Sequence, residues 1–176
     1  MRKLFELDKK DYNDSMPRFV RPSVRGIVIR NGKIAMVHSL KYDYYKFPGG
    51  GIEGTEDHQQ TLCREVREEA GLQVIPESIR AYGMVHRIQK GDREDVFVQD
   101  NFYYLCHVED ASIPQNLDTY EAEEKFVPEW VSPGLAIRTN RRSAEKEPEG
   151  YTTFGLMLER EARVLEMLVE EKFFAD

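Results

Sequence analysis

Residues 50–72, GGIEGTEDHQQTLCREVREEAGL, contain a predicted helix whose two ends are both marked in the sequence. Asp57 is a good N-cap residue, and Gln60 follows three positions later, as in a capping box. Gly71 suits the left-handed conformation with which many helices end. The stretch therefore predicts an α-helix over about 58–70.

The acidic side chains of this helix fall outside its apolar face. At about 100° per residue, Leu62, Val66 and Ala70 form one stripe, which predicts burial against a sheet. Three carboxylates share another side of the helix, and these are Glu65, Glu68 and Glu69. Like charges at this spacing repel each other unless a cation lies between them. Because hard divalent cations prefer carboxylate oxygen, the cluster is a candidate metal site.

The spacing of particular residues distinguishes this stretch from an ordinary acidic helix face. It follows the pattern G-x5-E-x7-R-E-U-x-E-E-x-G-U, in which U is a bulky apolar residue. The matching positions are Gly50, Glu56, Arg64, Glu65, Val66, Glu68, Glu69, Gly71 and Leu72. The chain resembles the Nudix (MutT-like) hydrolases, which carry this signature. The resemblance extends to the flanking residues, which are Phe47-Pro48-Gly49 before the motif and Glu129-Trp130-Val131 further along the chain.

The resemblance implies a fold of the α+β class, an α-β-α sandwich around a mixed β-sheet. It also implies a hydrolase that cleaves a pyrophosphate bond in a nucleoside di- or triphosphate or a related derivative and releases a nucleoside monophosphate. The pyrophosphate is polyanionic, so an incoming nucleophile is repelled unless a cation neutralises the charge. The expected cofactor is Mg²⁺, with Mn²⁺ as the alternative.

The resemblance assigns roles to individual motif residues. Glu68 and Glu69 correspond to the principal metal ligands, and Glu65 to a further ligand or to the residue that activates water. The Gly49 carbonyl corresponds to another metal contact, and Arg64 to a residue that pairs with a motif glutamate. The positions that look structural are Gly50, Glu56 and Gly71. Which carboxylate acts as the general base stays open.

A glutamate outside the motif often completes the site in this family, a few residues before a tryptophan on a late strand. Glu121, Glu123 and Glu124 all precede Trp130 in this way. The spacing favours Glu124 as a further catalytic residue, followed by Glu121. The alternative interpretation is that any one of the three is simply a solvated loop acid.

Basic and aromatic residues near the glycine-rich stretch are the candidate substrate contacts. Arg25 and Lys46 are predicted to reach phosphate groups, although basic side chains on strands are more often solvated. Tyr44 is predicted to stack on a nucleobase, and its alternative role is to cover the sheet.

Composition limits the classes of function. The 176 residues suggest one domain, and the net charge of −7 disfavours stable binding to nucleic-acid backbones, which needs a basic surface. Cys63 and Cys106 lack a metal-site spacing and are expected to be reduced, as in a cytoplasmic protein. We expect no membrane association, because the sequence shows neither a signal peptide at its start nor an apolar run of spanning length.

We predict that the chain consists of an N-terminal arm, residues 1–17, and a single Nudix domain, residues 18–176. An edge strand is predicted at 2–7, and further strands at 23–30, 33–39, 73–76, 80–89, 95–108 and 126–131. Helices are predicted at 133–140 and 152–172, and loops at 40–46, 109–124 and 141–150. Asn31-Gly32 predicts a hairpin turn, and Pro128 an edge strand or bulge. Phe173 and Phe174 suggest a homodimer contact.

The leading hypothesis is a Mg²⁺-dependent pyrophosphohydrolase that acts on a small nucleotide. ADP-ribose and dinucleoside polyphosphates are alternative substrates, but the downstream proline and tyrosine typical of those subfamilies are not found around Ile88. A non-catalytic nucleotide-sensing module is an alternative of another class, disfavoured because every motif residue is retained. The acidic charge gives no support to an RNA 5′-end substrate.

Overall fold

The computed structural model describes residues 1–91, 93, 95–147 and 153–175. Its strands, in chain order, are β1 (Lys3–Asp8), β2 (Arg18–Val20), β3 (Ser23–Ile27), β4 (Ile29–Arg30), β5 (Lys33–Ser39), β6 (Tyr44–Lys46), β7 (Gly49–Gly51), β8 (Leu72–Val74), β9 (Arg80–Lys90), β10 (Val96–Leu105), β11 (Val108–Ser112) and β12 (Phe126–Val131). The helices are α1 (His58–Ala70), α2 (Thr119–Glu123), α3 (Pro133–Ala144) and α4 (Thr153–Glu170).

The strands of the larger sheet run in the order β1-β9-β10-β3-β7, and β2 also pairs with β10. The sheet is mixed, because β1 pairs in parallel with β9, and β2 and β3 pair in parallel with β10. The β9-β10 and β3-β7 pairs are antiparallel. A second sheet has the order β12-β5-β4, with β6 also beside β5. Strands β8 and β11 form a short separate pair.

Helices cover the strands on two sides, which confirms the predicted α-β-α sandwich. The apolar stripe of α1 is fully buried at Leu62 and Val66, which lie in one core cluster with Val24 of β3. On the opposite side, Leu165 and Leu168 of α4 are buried in a second cluster. None of the helices in the described part of the chain is long and apolar enough to cross a membrane.

The prediction for α1 is confirmed at both ends. The Asp57 carboxylate accepts a hydrogen bond from the Gln60 N–H at 2.8 Å, and the Gln60 side chain accepts one from Asp57 N–H at 2.9 Å. Gly71 ends the helix at a φ of 62°. A Cβ at Gly71 would overlap the Ile113 carbonyl oxygen, so glycine is required there by space as well as by conformation.

The hairpin prediction is confirmed only near its turn. Asn31 and Gly32 both have positive φ, as a two-residue turn of type I′ requires. However, the predicted strand 23–30 divides at Val28, because β3 joins the larger sheet and β4 joins the smaller one. The unbroken apolar run at this corner has no alternation that would mark the change of sheet.

Three predicted loops contain regular structure. Residues 40–46 include β6, residues 109–124 include most of β11 and all of α2, and α3 extends into 141–150. Positions 148–150 and 152 lie outside the described residues.

Strand β12, which contains Pro128, lies at a sheet edge as predicted. Strand β1 forms the other sheet's edge within the predicted arm, and the division into arm and domain stays a prediction.

Candidate active site

The glycine strand β7 lies directly on the carboxylate helix α1. It pairs with β3, where Gly49 faces Arg25. Gly49 has a φ of 147°, and a Cβ there would overlap the Val24 carbonyl oxygen. A Cβ on Gly50 would lie within 2.7 Å of both carboxylate oxygens of Glu65. Glycine is needed at position 49 because of the positive φ and the close β3 backbone, and the missing Cβ at Gly50 leaves room for the Glu65 carboxylate.

Glu69 is the most buried of the motif carboxylates, with 1% of its surface exposed. Its Oε2 accepts a hydrogen bond from the Gly49 N–H at 2.9 Å, and its Oε1 accepts one from Lys46 Nζ at 2.5 Å. The predicted substrate lysine is thus the buried ion-pair partner of a predicted metal ligand. The sequence pattern predicts a loop over 40–46 and therefore does not indicate this pairing of Lys46.

Glu65 and Glu68 share one guanidinium nitrogen, since Arg64 Nη1 lies 2.8 Å from a carboxylate oxygen of Glu65 and 3.2 Å from one of Glu68. Burial raises the pKa of Glu65, and the nearby Glu69 raises it further. Arg64 also donates two hydrogen bonds to the Glu56 carboxylate, of 2.8 and 2.9 Å. This contact lowers the pKa of Glu56 to about 2. Arg64 therefore connects the start of the motif to its carboxylates.

The late glutamate nearest to the motif is Glu121. Its side chain on α2 lies against Glu69, and only 7% of the residue is exposed. Burial raises the pKa of Glu121 to about 8, and the contact with Glu69 contributes to the rise. Glu124, which the spacing had favoured, instead accepts hydrogen bonds from the Tyr44 hydroxyl at 2.7 Å and the Ser39 hydroxyl at 3.2 Å.

A local signal for this choice was present in the sequence. Asp118 and Glu121 form a capping box, in which each side chain accepts a hydrogen bond from the other's backbone N–H. The pattern Asp-x-x-Glu would have predicted a short helix beginning at residue 119. That helix turns Glu121 inward, while Glu123 is exposed.

The remaining predicted substrate contacts differ in their surroundings. Tyr44 is 3% exposed and packs edge-to-face on Phe154 at 5.1 Å, so its ring is not available to a nucleobase. The prediction that Tyr44 stacks on the substrate is therefore wrong, and the alternative role of covering the sheet is the observed one. Arg25 is nearly buried, and its guanidinium donates to the Gly49 carbonyl while its Nε has no partner.

A family model of the NUDIX domain matches residues 20–151. The chain belongs to the Nudix family. The RNA pyrophosphohydrolase of Hydrogenovibrio crunogenus is 31% identical over 123 residues, which make up 63% of this chain and 73% of that protein. The CTP pyrophosphohydrolase of Escherichia coli is 27% identical over 119 residues, or 65% of this chain and 78% of that protein.

Solved structures share the fold. A MutT structure from work on Aliivibrio salmonicida and Vibrio cholerae superposes with a TM-score of 0.54 at 18% identity, covering 87% of this chain and 99% of that one. A Nudix hydrolase from Nitrosomonas europaea gives a TM-score of 0.55 at 16% identity, with 83% and 90% covered. With the family match and the named relatives, the chain is a Nudix pyrophosphohydrolase.

Nudix hydrolases use divalent metal ions, and the donor set here suits one. Carboxylate oxygens are the ligands that hard divalent cations prefer. In this Nudix site the Glu65 carboxylate lies against the glycine strand, in space that a Cβ on Gly50 would occupy. Among the described residues, no three acidic, histidine or cysteine side chains already surround a common metal position. Lys46 and Arg64 instead bind these carboxylates, and Arg25 binds the Gly49 carbonyl.

Proposed function

We propose that this Nudix enzyme uses Mg²⁺ to hydrolyse a pyrophosphate bond in a nucleoside triphosphate or a related nucleotide, releasing a nucleoside monophosphate. The observation that carries the proposal is the position of Glu69, which lies near both Glu65 and Glu121 and accepts a hydrogen bond from the glycine strand at Gly49. The Arg25 guanidinium donates to the carbonyl of the same Gly49. Acidic groups for a cation and a basic group for a phosphate are thereby adjacent. We place the enzyme in the cytoplasm, where nucleotides are abundant.

Each residue then has a defined task. Glu65, Glu68, Glu69 and Glu121 would hold the cation. When bound, it supplies positive charge that neutralises the pyrophosphate and makes hydroxide available near neutral pH. Arg64 orients Glu65 and Glu68, and its hydrogen bonds to Glu56 fix the position of the guanidinium. The fixed carboxylates position the nucleophile for attack in line with the departing phosphate.

The 5′-triphosphate end of RNA is the second candidate substrate. It is favoured by relatives such as the Hydrogenovibrio crunogenus protein, which is named an RNA pyrophosphohydrolase. The net charge of −7 opposes extended contact with an RNA backbone but not recognition of a terminal nucleotide. Both candidates present the same chemical group to the carboxylates.

A turnover screen tests the proposal. We expect release of nucleoside monophosphate from at least one nucleoside triphosphate, loss of turnover with EDTA, and recovery on addition of excess Mg²⁺ or Mn²⁺. The panel should also contain ADP-ribose, NADH, dinucleoside polyphosphates, nucleotide sugars and a short RNA bearing a 5′-triphosphate. Preference for the RNA over the matching free nucleotide would support the second candidate. Absence of metal-dependent turnover on the whole panel would refute the proposed function.

A matched pair of substitutions tests the assignment of the late glutamate. Glu121→Gln is expected to lower kcat about 10–100-fold, because it removes a carboxylate that lies against Glu69. Glu124→Gln is expected to change kcat little, because the glutamine side chain can still accept hydrogen bonds from the Tyr44 and Ser39 hydroxyls. Both should be measured at saturating Mg²⁺ and again across a metal titration. The reverse order of effects would return the role to Glu124.

A further inference from the structure

Three guanidinium groups outside the motif lie on one face of the larger sheet. Arg25 on β3 is opposite Tyr103 of β10, and Arg87 on β9 is opposite Gln99. Arg21 continues the register of β2, since its N–H donates to the Val98 carbonyl at 2.9 Å. Alternate residues of a strand share a face, which brings all three side chains to the side covered in part by α4.

These three arginines form no ion pair within 4.0 Å in the described part of the chain, unlike Arg160 of α4, which pairs with Glu161 at 2.6 Å. Arg87 is 4% exposed and donates only to neutral oxygens, those of the Gln89 side chain and the Thr153 carbonyl. Burial, with Arg160 and Arg25 nearby, lowers the pKa of Arg87 to about 9.

Arg25 is 9% exposed, and its Nε has no hydrogen-bond partner. A buried cation without an anionic partner is costly, so this face of an otherwise acidic protein is suited to an anion.

A groove of about 390 Å³ opens at the end of this face, and its size lies within the usual range for small-ligand sites. Phe19 and Phe97 form one wall, with ring centroids 6.0 Å apart and Phe19 half exposed. Arg21 and Gln89 line it as well, and the nearby Arg93 and Asp95 carry opposite charges. The groove therefore combines exposed aromatic surface with an unpaired guanidinium.

One residue of the groove, Arg21, lies against the glycine strand of the carboxylate site. A Cβ on Gly51 would lie 3.0 Å from the Arg21 Nε, so this guanidinium rests on the glycine strand. The Gly51 carbonyl also accepts a hydrogen bond from Arg64 at 3.2 Å, and the adjacent Gly50 covers the Glu65 carboxylate. Arg21 and Glu65 therefore lie against two neighbouring residues of the same strand, Gly51 and Gly50.

We propose that this groove binds the nucleoside end of the substrate, with the base against the rings of Phe19 and Phe97. The phosphates then extend past Arg21 toward Arg25 and the carboxylates. This assignment rests on the proposed function and adds the residues that bind the nucleoside. Base-aromatic stacking tolerates all bases, so the groove recognises a nucleotide as a class. The first nucleotide of an RNA chain has the same features.

Binding of 2-aminopurine riboside 5′-monophosphate tests the groove separately from catalysis, because this fluorescent probe has no pyrophosphate bond to cleave. We expect saturable quenching with the wild-type protein, since stacking on an aromatic ring quenches the fluorescence. Phe19→Leu and Arg21→Gln should each raise Kd about 10-fold, through lost stacking and lost charge respectively. Phe19 is half exposed and Arg21 is exposed, so both variants should fold.

Arg18→Gln is the matched control, because Arg18 lies on the same strand and its side chain belongs to the opposite face. Its Kd should equal that of the wild type. Absence of saturable quenching in the wild type, or equal Kd values in all variants, would overturn the assignment. An effect of Arg21→Gln alone would overturn the base-stacking part. Intact probe binding in a protein that hydrolyses no nucleotide would refute only the proposed function.

Discussion

Glu69→Gln is expected to lower kcat about 10³-fold, the largest effect of any single motif substitution. Glu69 lies at the centre of the carboxylate cluster, against Glu121 and in hydrogen-bond contact with Gly49 and Lys46. A neutral amide oxygen is a much weaker ligand for a hard cation than a carboxylate. The measurement is steady-state turnover at saturating nucleotide, together with Mn²⁺ affinity by titration, which should fall in parallel.

The substitution also affects stability, so a second variant separates the two effects. Glu69→Gln leaves the buried Lys46 ammonium without its counter-charge, which is expected to destabilise the fold by about 3–5 kcal/mol. Combining it with Lys46→Gln removes both charges and should recover much of the thermal stability. Turnover should stay lost in the double variant. Recovery of activity along with stability would show that Glu69 serves only to hold Lys46.

Elements whose ends and buried faces are determined by nearby residues could be predicted from the sequence. The helix α1 begins and ends as predicted because Asp57, Gln60 and Gly71 set its ends within the segment itself. The apolar stripe similarly identified the face that packs on the sheet. In each case the residues that determine the structure are neighbours along the chain, so spacing carries the information.

Features that depend on distant partners were not predictable in the same way. Lys46 and Glu69 are 23 residues apart in sequence and meet only because β6 pairs with β5 and ends beside α1. Glu121 and Glu124 both lie ahead of the tryptophan. The capping box predicts a short helix there, but its packing on the rest of the fold is what brings Glu121 to Glu69 and Glu124 to Tyr44. Of the unpaired arginines on the sheet face, Arg25 belongs to β3 and Arg87 to β9, so no local spacing pattern joins these two.

Gly50→Ala is expected to lower kcat about 10²-fold while the protein stays folded. The added Cβ would lie within 2.7 Å of both Glu65 carboxylate oxygens, so that carboxylate must move away from its position. The group that has to yield is the far end of a side chain, and Gly50 does not have the positive φ that only glycine adopts readily. The structural cost is therefore small, whereas a metal ligand displaced by about 1 Å loses much of its catalytic value.

Gly54→Ala provides the matched control with the opposite expected behaviour. Gly54 has a φ of 52° and open space where a Cβ would be, so alanine should cost about 1 kcal/mol of stability through backbone strain alone. In a protein of this size that corresponds to a fall in Tm of about 2–4 °C. Its kcat should match the wild type, because the added Cβ would have no atom within 4 Å and so would not displace a carboxylate. Thermal melts and turnover measured on both variants should thus separate the two glycines, one required for the position of Glu65 and the other for the turn. Equal loss of activity in both would mean that general loosening of the loop, and not displacement of Glu65, accounts for the effect.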